Sequence, residues 1–519
     1  MTAMNCIPRC NNLPPLTVAA LVTALQAVEV TEQAGACHME HCITAVSSDS
    51  RDMIEGALFV AVRGFCTDGH RFIESAIERG ACIIVCEEFS PSITHGCLYL
   101  RVIDARKALA HVAALFYGNP AKQLRFIGVT GTNGKTTTSR IITEMLTACA
   151  MPSGYIGTNL CRIGKRDIPL ERTTPEAHEL HALFALMVEA GCKAVVMEVS
   201  SHALLLQRVY GLRFDAALFT NLTQDHLDFH HTMQAYAEAK QLLFDQLQPD
   251  GVAIVNADDA YAPLMLQRVA PSQRICCTLQ ANAPSVLECP PSPQYRQHFQ
   301  AEVRHASLAA TEMELRFPKG ETELLTVGLA GSYNVMNVLQ AAATGYCLGL
   351  QPAAICRALA AVHSVDGRME RVGRPNLPYQ IFVDYAHTPD ALQKALETLK
   401  ALKGAEARLM VLFGCGGNRD RLKRPIMGSI AASLADVVIL TSDNPRDELP
   451  DAILDEIEQG MHGAGHQRIA DRAEAIRTAI SQLQAGDVLL IAGKGHERYQ
   501  EVAGKRTYFS DQEEVGRCL

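Results

Sequence analysis

The sequence predicts an α/β protein of two or three domains built on parallel β-sheets. The chain has 519 residues, and single hydrophobic cores stop growing well below that length, so domains of roughly 150 residues each are expected. Apolar, strand-like segments alternate with amphipathic, helix-like segments along most of the chain, which favours crossover helices between parallel strands. The apolar content of 48% and the charged content of 20% are typical of packed domains.

Charge and cysteine usage exclude several classes of function. The net charge of -9 opposes non-specific nucleic-acid binding, which needs a basic face. The cysteines are scattered without a C-x-x-C pair, so we interpret them as buried thiols in a reducing compartment. The segment CHMEHC at residues 37–42 contains zinc-ligand types, but ligands so close together rarely complete a tetrahedron, and a surface turn is favoured.

No targeting or membrane segment is predicted. The apolar segment LTVAALVTAL is preceded by a single positive charge, Arg9, and no small-residue cleavage pattern follows it. No run approaches the roughly 18 apolar residues of a membrane span. We therefore expect a cytoplasmic protein.

The first two predicted units alternate strands with helices. GALFVAV, HRFIESAIERG and ACIIVCE, within residues 43–104, are typical of strand, helix and strand. The helix ARKALAHVAALFYG then leads to LRFIGVTGTNGKTTTSRIITEML, in which a strand, a glycine-rich turn and a long helix follow one another. The strands AVVMEVS, AALFTN and GVAIVN continue a parallel sheet. Residues 278–326, rich in Pro, Ser and Gln, are expected to contain less regular strands.

A third region begins near Val365 and contains four strand–loop units, in each of which an apolar strand ends in a polar loop. The units are QIFVDYAHTPDAL, LMVLFGCGGNRD, VVILTSDNPRDE and VLLIAGKGHERY. Ligands bind at the carboxyl ends of the strands in an open parallel sheet. The four loops, including residues 443–446, are therefore expected to share one ligand-binding edge.

The segment TGTNGKTTT, residues 130–138, has the parts of a phosphate-binding loop. Its glycines let backbone N–H groups converge on a phosphate, Lys135 can meet the terminal phosphates, and Thr136 can reach Mg²⁺. Val129 stands where the full Walker pattern requires glycine, so the motif is the shorter G-x-x-G-K-T. Its position between a strand and a helix favours phosphate binding over a simple turn.

Two strands deliver candidate metal ligands next to this loop. VVMEVSSH contains Glu198 near the end of its predicted strand, next to the loop, and FTNLTQDHLDFHH contains His226. A nucleotide-bound Mg²⁺ usually takes only one or two protein ligands. Any one histidine of this segment is more often structural, but its position after a sheet strand favours His226 as a ligand.

Two basic residues stand out. Lys240 lies on the apolar stripe of the predicted helix TMQAYAEAKQLLFDQL, and burial lowers the pKa of a lysine and leaves more free amine. The sequence pattern leaves two interpretations of Lys240 open. A salt bridge is favoured, and the alternative is a CO₂-derived carbamate that helps to bind metal. Arg368, in GRMERV near an expected hinge, could stabilise charge during phosphoryl transfer or be a surface arginine.

These motifs, in this order, resemble those of the Mur ligases of peptidoglycan synthesis: TGTNGKTTT, MEVSSHAL, FTNLTQDHLDFH, AEAK, AGSYNVMN, GRMERV, DYAHTPDAL, FGCGGNRDRLKRP, DNPR and GKGHE. The resemblance extends from Ser48 to about Glu513. It implies an N-terminal uridine-nucleotide-binding α/β domain at 1–104, a central P-loop ATPase-like parallel sheet at 105–364, and a C-terminal Rossmann-like, amino-acid-binding domain at 365–519.

The resemblance implies an ATP-dependent ligase of small molecules. ATP phosphorylates the side-chain carboxylate of a D-glutamate in a UDP-N-acetylmuramoyl-dipeptide, and the amine of a diamino acid attacks the acyl phosphate to form an amide. The implied cofactors are ATP, Mg²⁺ and a carbamate on Lys240. We expect a monomer that binds no nucleic acid and has no membrane-spanning segment.

The resemblance also assigns residues to roles. The catalytic residues are Lys240, Glu198, His226 and Arg368. The ATP-binding residues are Gly131, Thr132, Asn133, Gly134, Lys135, Thr136, Thr137, Asn334, Asp384 and His387. The metal ligands are Thr136, Glu198, His226 and carbamylated Lys240. The UDP-substrate residues are Ser48, Ser50, Phe65, Cys66, Thr67, Thr173, Thr174, Ser200 and Arg208. The diamino-acid residues are Arg419, Asp443, Asn444, Pro445, Arg446, Gly493 and Glu497. The chain departs from the family pattern at Arg172, at Leu206 and at residues 65–67.

The charges of the last group predict the amino acid. Arginine binds a carboxylate through two parallel hydrogen bonds, so Arg419 and Arg446 suggest a ligand with two carboxylates. Meso-2,6-diaminopimelate fits, whereas lysine and ornithine lack the second carboxylate; lanthionine would fit nearly as well. A ligase similar to folylpolyglutamate synthase is an alternative, but it is not expected to carry DNPR with GKGHE. A nucleotide-dependent binding module without chemistry would have no reason to keep Lys240 on an apolar face.

Overall fold

The computed structural model describes residues 15–26, 30–35, 37–64, 67–89, 96–279, 296–374, 376–463 and 465–519. Within these ranges the strands form sheets of five, eleven and six strands and one two-stranded hairpin. The three large sheets follow one another along the chain, and helices cover them. The predicted α/β class is confirmed.

The N-terminal sheet has the strand order β1-β5-β4-β3-β2, with β1 antiparallel and the others parallel. Its strands are β1 (Val30–Gly35), β2 (Val46–Ser47), β3 (Ala57–Val60), β4 (Ala81–Cys86) and β5 (Leu98–Val102), and the helices are α1 (Val18–Gln26), α2 (Ile73–Glu78) and α3 (Ala105–Phe116). Helix α3 packs on this sheet, although it follows the boundary predicted at residue 104. The predicted boundaries otherwise stay predictions.

The central sheet has a parallel core and antiparallel margins, in the order β16-β15-β14-β13-β12-β11-β6-β10-β7-β8-β9. Its strands are β6 (Arg125–Thr130), β7 (Ser153–Gly157), β8 (Leu160–Ile163), β9 (Arg166–Pro169), β10 (Ala194–Glu198), β11 (Phe214–Phe219), β12 (Leu247–Asn256), β13 (Arg274–Thr278), β14 (Gln297–Ala306), β15 (Thr311–Arg316) and β16 (Thr322–Val327). The phosphate loop follows β6, which lies inside the parallel core between β10 and β11.

The helices of this unit cover both faces of the sheet. They are α4 (Lys135–Ala148), α5 (Ala177–Glu189), α6 (Ser201–Leu205), α7 (Leu227–His230), α8 (Met233–Gln241), α9 (Ala262–Leu266), α10 (Ser332–Cys347) and α11 (Pro352–Ala360). The long helix predicted to continue beyond Lys240 ends at Gln241 and is followed by a single 3-10 turn, Phe244–Gln246.

Less regular strands were expected in residues 278–326, and the described part of that stretch agrees only in part. Strands β14, β15 and β16 form an antiparallel meander that widens the sheet; the β14–β15 pairing shifts register between Val303 and His305, whereas β15 and β16 pair without a shift. Strand β15 buries Thr311, Met313 and Leu315 on one face and leaves the alternate positions less buried. This alternation of period two, rather than the polar composition, decided the structure, because side chains of a strand point to opposite faces in turn.

The C-terminal sheet has the order β17-β18-β22-β19-β20-β21, and its strands are parallel apart from β17. The strands are β17 (Glu370–Val372), β18 (Gln380–Asp384), β19 (Leu409–Phe413), β20 (Val437–Leu440), β21 (Gln467–Arg468) and β22 (Val488–Ala492), with the hairpin β23 (Tyr499–Val502) and β24 (Lys505–Tyr508). The helices are α12 (Pro389–Leu402), α13 (Lys423–Leu434), α14 (Pro450–Glu458), α15 (Arg472–Ser481) and α16 (Asp511–Cys518).

The four predicted strand–loop units begin with β18, β19, β20 and β22, which are neighbours in this sheet. Their carboxyl ends share one edge because the strands are parallel. The buried guanidinium of Arg472 helps to fix this edge: it donates to Ser442 O (3.4 Å) and Ala492 O (3.0 Å) and pairs with Asp511 (2.8 Å). In the described ranges, no helix is both long and apolar enough to cross a lipid bilayer.

Candidate active site

A cavity of about 650 Å³ lies where the carboxyl ends of the central and C-terminal sheets face each other. Most of the predicted site residues line it. They are Thr132, Asn133, Gly134, Lys135, Thr136, Thr137, Thr173, Thr174, Glu198, Ser200, Arg208, His226, Asn334, Arg368, Asp384, His387, Arg419, Asp443, Asn444, Arg446, Gly493 and Glu497. One cavity therefore combines the residues predicted for three different ligands.

Some predicted residues do not line this cavity: Gly131, Lys240, Pro445, Ser48, Ser50 and Thr67. The last three belong to the N-terminal unit, which meets the central unit where Ser47 Oγ lies 3.3 Å from His178 Nε2. The predicted Phe65 and Cys66 lie outside the described residues.

The phosphate loop joins β6 to α4 and depends on two glycines. Gly131 has φ 147°, and a Cβ there would lie 1.9 Å from Thr220 Oγ1. Gly134 has φ 83° and precedes the first residue of α4, so the helix N-terminus faces the cavity, where it favours an anion. Lys135 Nζ donates to Gly131 O (3.0 Å) and Thr132 O (2.8 Å), and burial lowers its pKa.

Glu198, the last residue of β10, is a buried carboxylate without a cationic partner. It has no solvent exposure, and its oxygens accept hydrogen bonds from the Tyr155 hydroxyl (2.7 Å), from Thr158 N (3.0 Å) and from Thr158 Oγ1 (3.2 Å). Among the described residues, no ion pair reaches it. A buried anion of this kind is suited to a hard cation, because charge burial otherwise needs a partner.

His226 and Thr136 supply further donor groups at the cavity wall. His226 has a left-handed backbone (φ 52°) and a half-exposed side chain, with Nε2 3.4 Å from Asp225 Oδ2. Desolvation lowers the pKa of His226, which favours the neutral imidazole that a metal requires. By chemical type the His226 imidazole, the Glu198 carboxylate and the Thr136 hydroxyl suit Mg²⁺, which takes only one or two protein ligands when it is bound to a nucleotide; the described residues contain no cluster of three or more His, Cys, Asp and Glu that could hold a metal by itself. Their roles as ligands stay predictions.

The surroundings of Lys240 contradict the salt bridge that the sequence pattern favoured. Its side chain is 1% exposed, and Nζ donates to Gly131 O at 2.8 Å and lies 4.3 Å from the centre of the Tyr236 ring. In the described part of the chain no carboxylate lies within ion-pair distance of it. Burial, followed by repulsion from Lys135, lowers its pKa well below the ordinary value. The free amine is therefore favoured, directly behind the phosphate loop.

Arg368 connects the C-terminal unit to the phosphate loop. Its Nη2 donates to Thr136 Oγ1 at 2.7 Å, and its guanidinium carbon lies 4.6 Å from the centre of the Tyr385 ring. A second bridge forms where Asn133 Nδ2 donates to Asp390 Oδ2 at 2.6 Å. The two units are thus in contact on both sides of the predicted ATP site.

Three residues predicted to bind ATP have structural partners here. Asp384 accepts hydrogen bonds from Met369 N (2.6 Å) and Ala386 N (2.8 Å), and burial raises its pKa. His387 Nδ1 donates to Tyr385 O (2.8 Å), and burial lowers its pKa to about 4. Asn334 is held by Ala330 O at 2.7 Å. They shape the cavity wall whether or not they touch a nucleotide.

The UDP-substrate residues of the central unit form a connected group. Arg208 Nη1 donates to Thr174 O (3.1 Å), and Thr174 Oγ1 donates to Glu198 O (2.9 Å). Ser200 Oγ caps α6 by accepting from Ala203 N at 3.2 Å. This group therefore adjoins the candidate metal carboxylate.

The loop after β20 is buried against a lysine that sequence reasoning missed. Asp443 and Asn444 are buried, and Lys494 Nζ lies 2.9 Å from Asn444 Oδ1, 3.4 Å from Asp443 Oδ1 and 3.7 Å from Glu497 Oε2. Asn444 Nδ2 donates to Glu497 Oε2 at 2.9 Å. Lys494 holds the two carboxylates side by side, and its position in GKGHE after a buried strand was the signal that could have identified it.

The two predicted arginines flank this acidic pair. Arg446 has φ 52°, and its Nη1 donates to Gly417 O at 2.7 Å. Arg419 is exposed, and its pKa is lowered by desolvation and by the nearby Arg446. Two guanidinium groups whose charges repel in one pocket favour a ligand with two anionic groups. Pro445, buried behind the loop, contributes backbone shape rather than a contact with the cavity.

The fold and the cavity define a class of enzyme, and comparison with known families agrees. Three family models match the chain: "Mur ligase family, catalytic domain" at residues 42–117, "Mur ligase middle domain" at 129–345, and "Mur ligase, glutamate ligase domain" at 367–495. The chain belongs to the Mur ligase family. The family and the ligase class predicted from the sequence are confirmed.

The names of individual relatives are more specific than the family descriptions. The UDP-N-acetylmuramoyl-L-alanyl-D-glutamate–2,6-diaminopimelate ligase of Chlorobium phaeobacteroides is 55% identical over 501 residues, which is 96% of each chain. A solved structure of a ligase of the same name is 32% identical, with a TM-score of 0.65 over 97% of this chain and 99% of that one.

A third comparison concerns the alternative considered from the sequence. Folylpolyglutamate synthase of Mycobacterium tuberculosis, solved with ADP and AMPPCP, is 17% identical, with a TM-score of 0.58. The match covers 74% of this chain and 91% of the folylpolyglutamate synthase chain. At that identity the likeness shows a shared fold and nothing about substrates.

Proposed function

We propose that this protein joins meso-2,6-diaminopimelate to the D-glutamate side-chain carboxylate of UDP-N-acetylmuramoyl-L-alanyl-D-glutamate, using ATP. The observation that carries the proposal is the single cavity shared by the phosphate loop, the buried Glu198 and the pocket with Arg419 and Arg446. The name of the 55% identical relative supports the same reaction.

The chain's own residues account for the activation step. The amides of residues 131–135 and the N-terminus of α4 would hold the terminal phosphates of ATP, with Lys135 beside them. Arg368, 2.7 Å from Thr136 Oγ1, would stabilise the negative charge that spreads over the phosphoryl group during its transfer to the substrate carboxylate. The products of this step are ADP and an acyl phosphate.

The second step joins the two substrates. The free amine of the diamino acid attacks the acyl carbon, the tetrahedral intermediate loses phosphate, and the nitrogen loses a proton as the amide forms. Arg419 and Arg446 would bind the two carboxylates, and Asp443 and Glu497 would attract the distal ammonium. This pocket lies across the cavity from the phosphate loop, so the amine meets the acyl phosphate where it is made.

Thr136, Glu198 and His226 would hold Mg²⁺, and a carbamate on Lys240 would add a fixed negative charge behind them. Mg²⁺ bound by these residues would neutralise the negative charge of the phosphates. Lys240 lies outside the residues that line the cavity, next to the Gly131 carbonyl.

A phosphate-release assay tests the function. We expect ATP hydrolysis only when the UDP-linked dipeptide and diaminopimelate are both present, because the acyl phosphate forms only on the carboxylate and turns over only with the amine. Either substrate alone is the control. Equal turnover with a folate substrate and glutamate would instead favour the folylpolyglutamate synthase reading, and hydrolysis without any acceptor would favour neither ligase.

Closure of the C-terminal unit is a further expectation. Arg368 and Asp390 already contact the phosphate loop, and the acyl phosphate must be kept from water. We expect an ATP analogue with both substrates to reduce the radius of gyration measured by small-angle X-ray scattering. Scattering profiles unchanged by the ligands would contradict closure, and profiles with the analogue alone provide the control.

A cytoplasmic location belongs to the same proposal. It is supported by the free thiols in the described ranges, which are typical of a reducing compartment, and by the use of ATP. The monomer predicted from the sequence belongs to the same proposal.

A further inference from the structure

Thr158, at the turn between β7 and β8, lies at the meeting point of three parts of the site, although no role follows from its sequence context. Its N–H donates to Glu198 Oε1 (3.0 Å) and its hydroxyl to Glu198 Oε2 (3.2 Å). The same hydroxyl lies 3.2 Å from Thr173 Oγ1. One residue therefore holds both oxygens of the candidate metal carboxylate and touches a predicted substrate residue.

The surrounding strand leaves Glu198 little freedom to find another partner. A Cβ on Gly157 would lie 2.2 Å from Glu198 Oε1 and 2.1 Å from the Tyr155 hydroxyl, so the end of β7 packs directly on the carboxylate. The hydroxyls of Tyr155 and Thr158 are its side-chain donors in the described part of the chain. Thr158 also accepts a hydrogen bond from the C-terminal unit.

That contact comes from His496, in the loop after β22. His496 Nε2 lies 2.9 Å from Thr158 O; a carbonyl only accepts, so Nε2 carries the hydrogen. The next residue, Glu497, belongs to the predicted diamino-acid pocket, and Tyr385 contacts both, with its ring 5.4 Å from that of His496 and its hydroxyl 3.4 Å from Glu497 Oε1. Adjacent residues thus reach the amino-acid pocket and the turn that holds Glu198.

We propose that Thr158 is a positioning residue that orients the Glu198 carboxylate toward Mg²⁺, and that His496 fixes Thr158 when the C-terminal unit is docked. The inference rests on the proposed function for the identity of the metal and of the amino acid. Its consequence is that binding of the diamino acid beside Glu497 strengthens metal binding across the domain boundary, through the adjacent His496.

Metal affinity, measured without turnover, tests the first part. Mn²⁺ replaces Mg²⁺, AMPPNP replaces ATP, and free Mn²⁺ is followed by electron paramagnetic resonance. We expect Thr158→Val to weaken Mn²⁺ binding by about tenfold, the low end for loss of a group that orients a metal ligand, and Thr158→Ser to restore it. Thr143→Val, in helix α4, removes a hydroxyl that donates to Ser139 O at 2.7 Å rather than to Glu198, and is the matched control.

Two results would overturn this part. One is Mn²⁺ affinity of Thr158→Val equal to wild type. The other is an equal loss in Thr158→Ser or in Thr143→Val, which would show that the Thr158 hydroxyl is not responsible. Retained AMPPNP affinity in each variant shows that the central unit is folded, so the comparison remains decisive.

The second part is tested by adding the UDP-linked dipeptide and diaminopimelate to the same titration. We expect both substrates to tighten Mn²⁺ binding in the wild type. The same tightening is expected in His496→Gln, whose amide can donate to Thr158 O. No tightening is expected in His496→Phe, which keeps a ring beside Tyr385 but has no donor. Equal tightening in His496→Phe, or none in the wild type, overturns the coupling. The phosphate-release assay of the wild type decides the proposed function separately.

Discussion

Replacing Lys240 by alanine is expected to lower kcat by about a thousandfold, the upper range for loss of one preorganised charged group in an active site. Lys240 is buried, has no carboxylate partner among the described residues, and has a pKa lowered by burial and by Lys135. A lowered pKa raises the share of the lysine that is the free amine, and that form reacts with CO₂. As the pH falls the amine is protonated and the carbamate is lost.

The measurement is steady-state ligation with and without a short carboxylic acid such as acetate. Acetate is expected to restore part of the activity of Lys240→Ala, because it can place a carboxylate where the carbamate would lie. Glu238→Ala, on the exposed side of the same helix α8, controls for damage to the helix and should behave as wild type. Full activity of Lys240→Ala, or no response to any short acid, would remove the support for a carbamate.

Arg446→Ala is expected to abolish most of the preference for diaminopimelate over lysine. In the wild type we expect kcat/KM to favour the diacid by about a thousandfold, because a ligand without the second carboxylate leaves a desolvated arginine unpaired. The Arg446 side chain lines the cavity, where Nη1 is held by Gly417 O. Loss of this group should reduce the preference about a hundredfold or more.

The assay compares kcat/KM for diaminopimelate, lysine, ornithine and lanthionine. Arg421→Ala is the matched control, because Arg421 is an exposed arginine of the same region that pairs with Glu456 and does not line the cavity. Arg446→Lys separates charge from the two-pronged geometry of a guanidinium. A wild type that prefers lysine, or an Arg446→Ala variant that keeps its preference for the diacid, would show that this arginine does not select the ligand.

The corrected expectations have one physical origin. Local composition suggested less regular strands after residue 278, which holds only at the register shift between Val303 and His305, and local periodicity suggested a longer α8 and a salt bridge for Lys240. In each case tertiary packing decided: β14–β16 pair with one another, α8 ends at Gln241, and Lys240 finds a carbonyl and an aromatic ring instead of a carboxylate. Propensity and spacing specify what a segment can do but not which partner it meets.

The sequence by itself determined the features that depend on short spacing. Glycines 131 and 134, Lys135 and Thr136 lie within one turn between a strand and a helix, and the residues 443–446 follow a buried strand directly. Such motifs are local, since a few dihedral angles fix the side chains relative to one another. The order of these motifs was sufficient to predict the family, the phosphate loop and the edge at which the ligands bind.

Only the tertiary structure decided which distant residues meet. Arg368 reaches Thr136 across 232 positions of sequence, Asn133 reaches Asp390 across 257, and His496 reaches Thr158 across 338. The position of Lys494 between the carboxylates of Asp443 and Glu497 likewise depends on the tertiary structure. These contacts depend on how whole sheets and domains pack, and no spacing along the chain encodes such a distance, because many residues of the same types would satisfy the local pattern equally well.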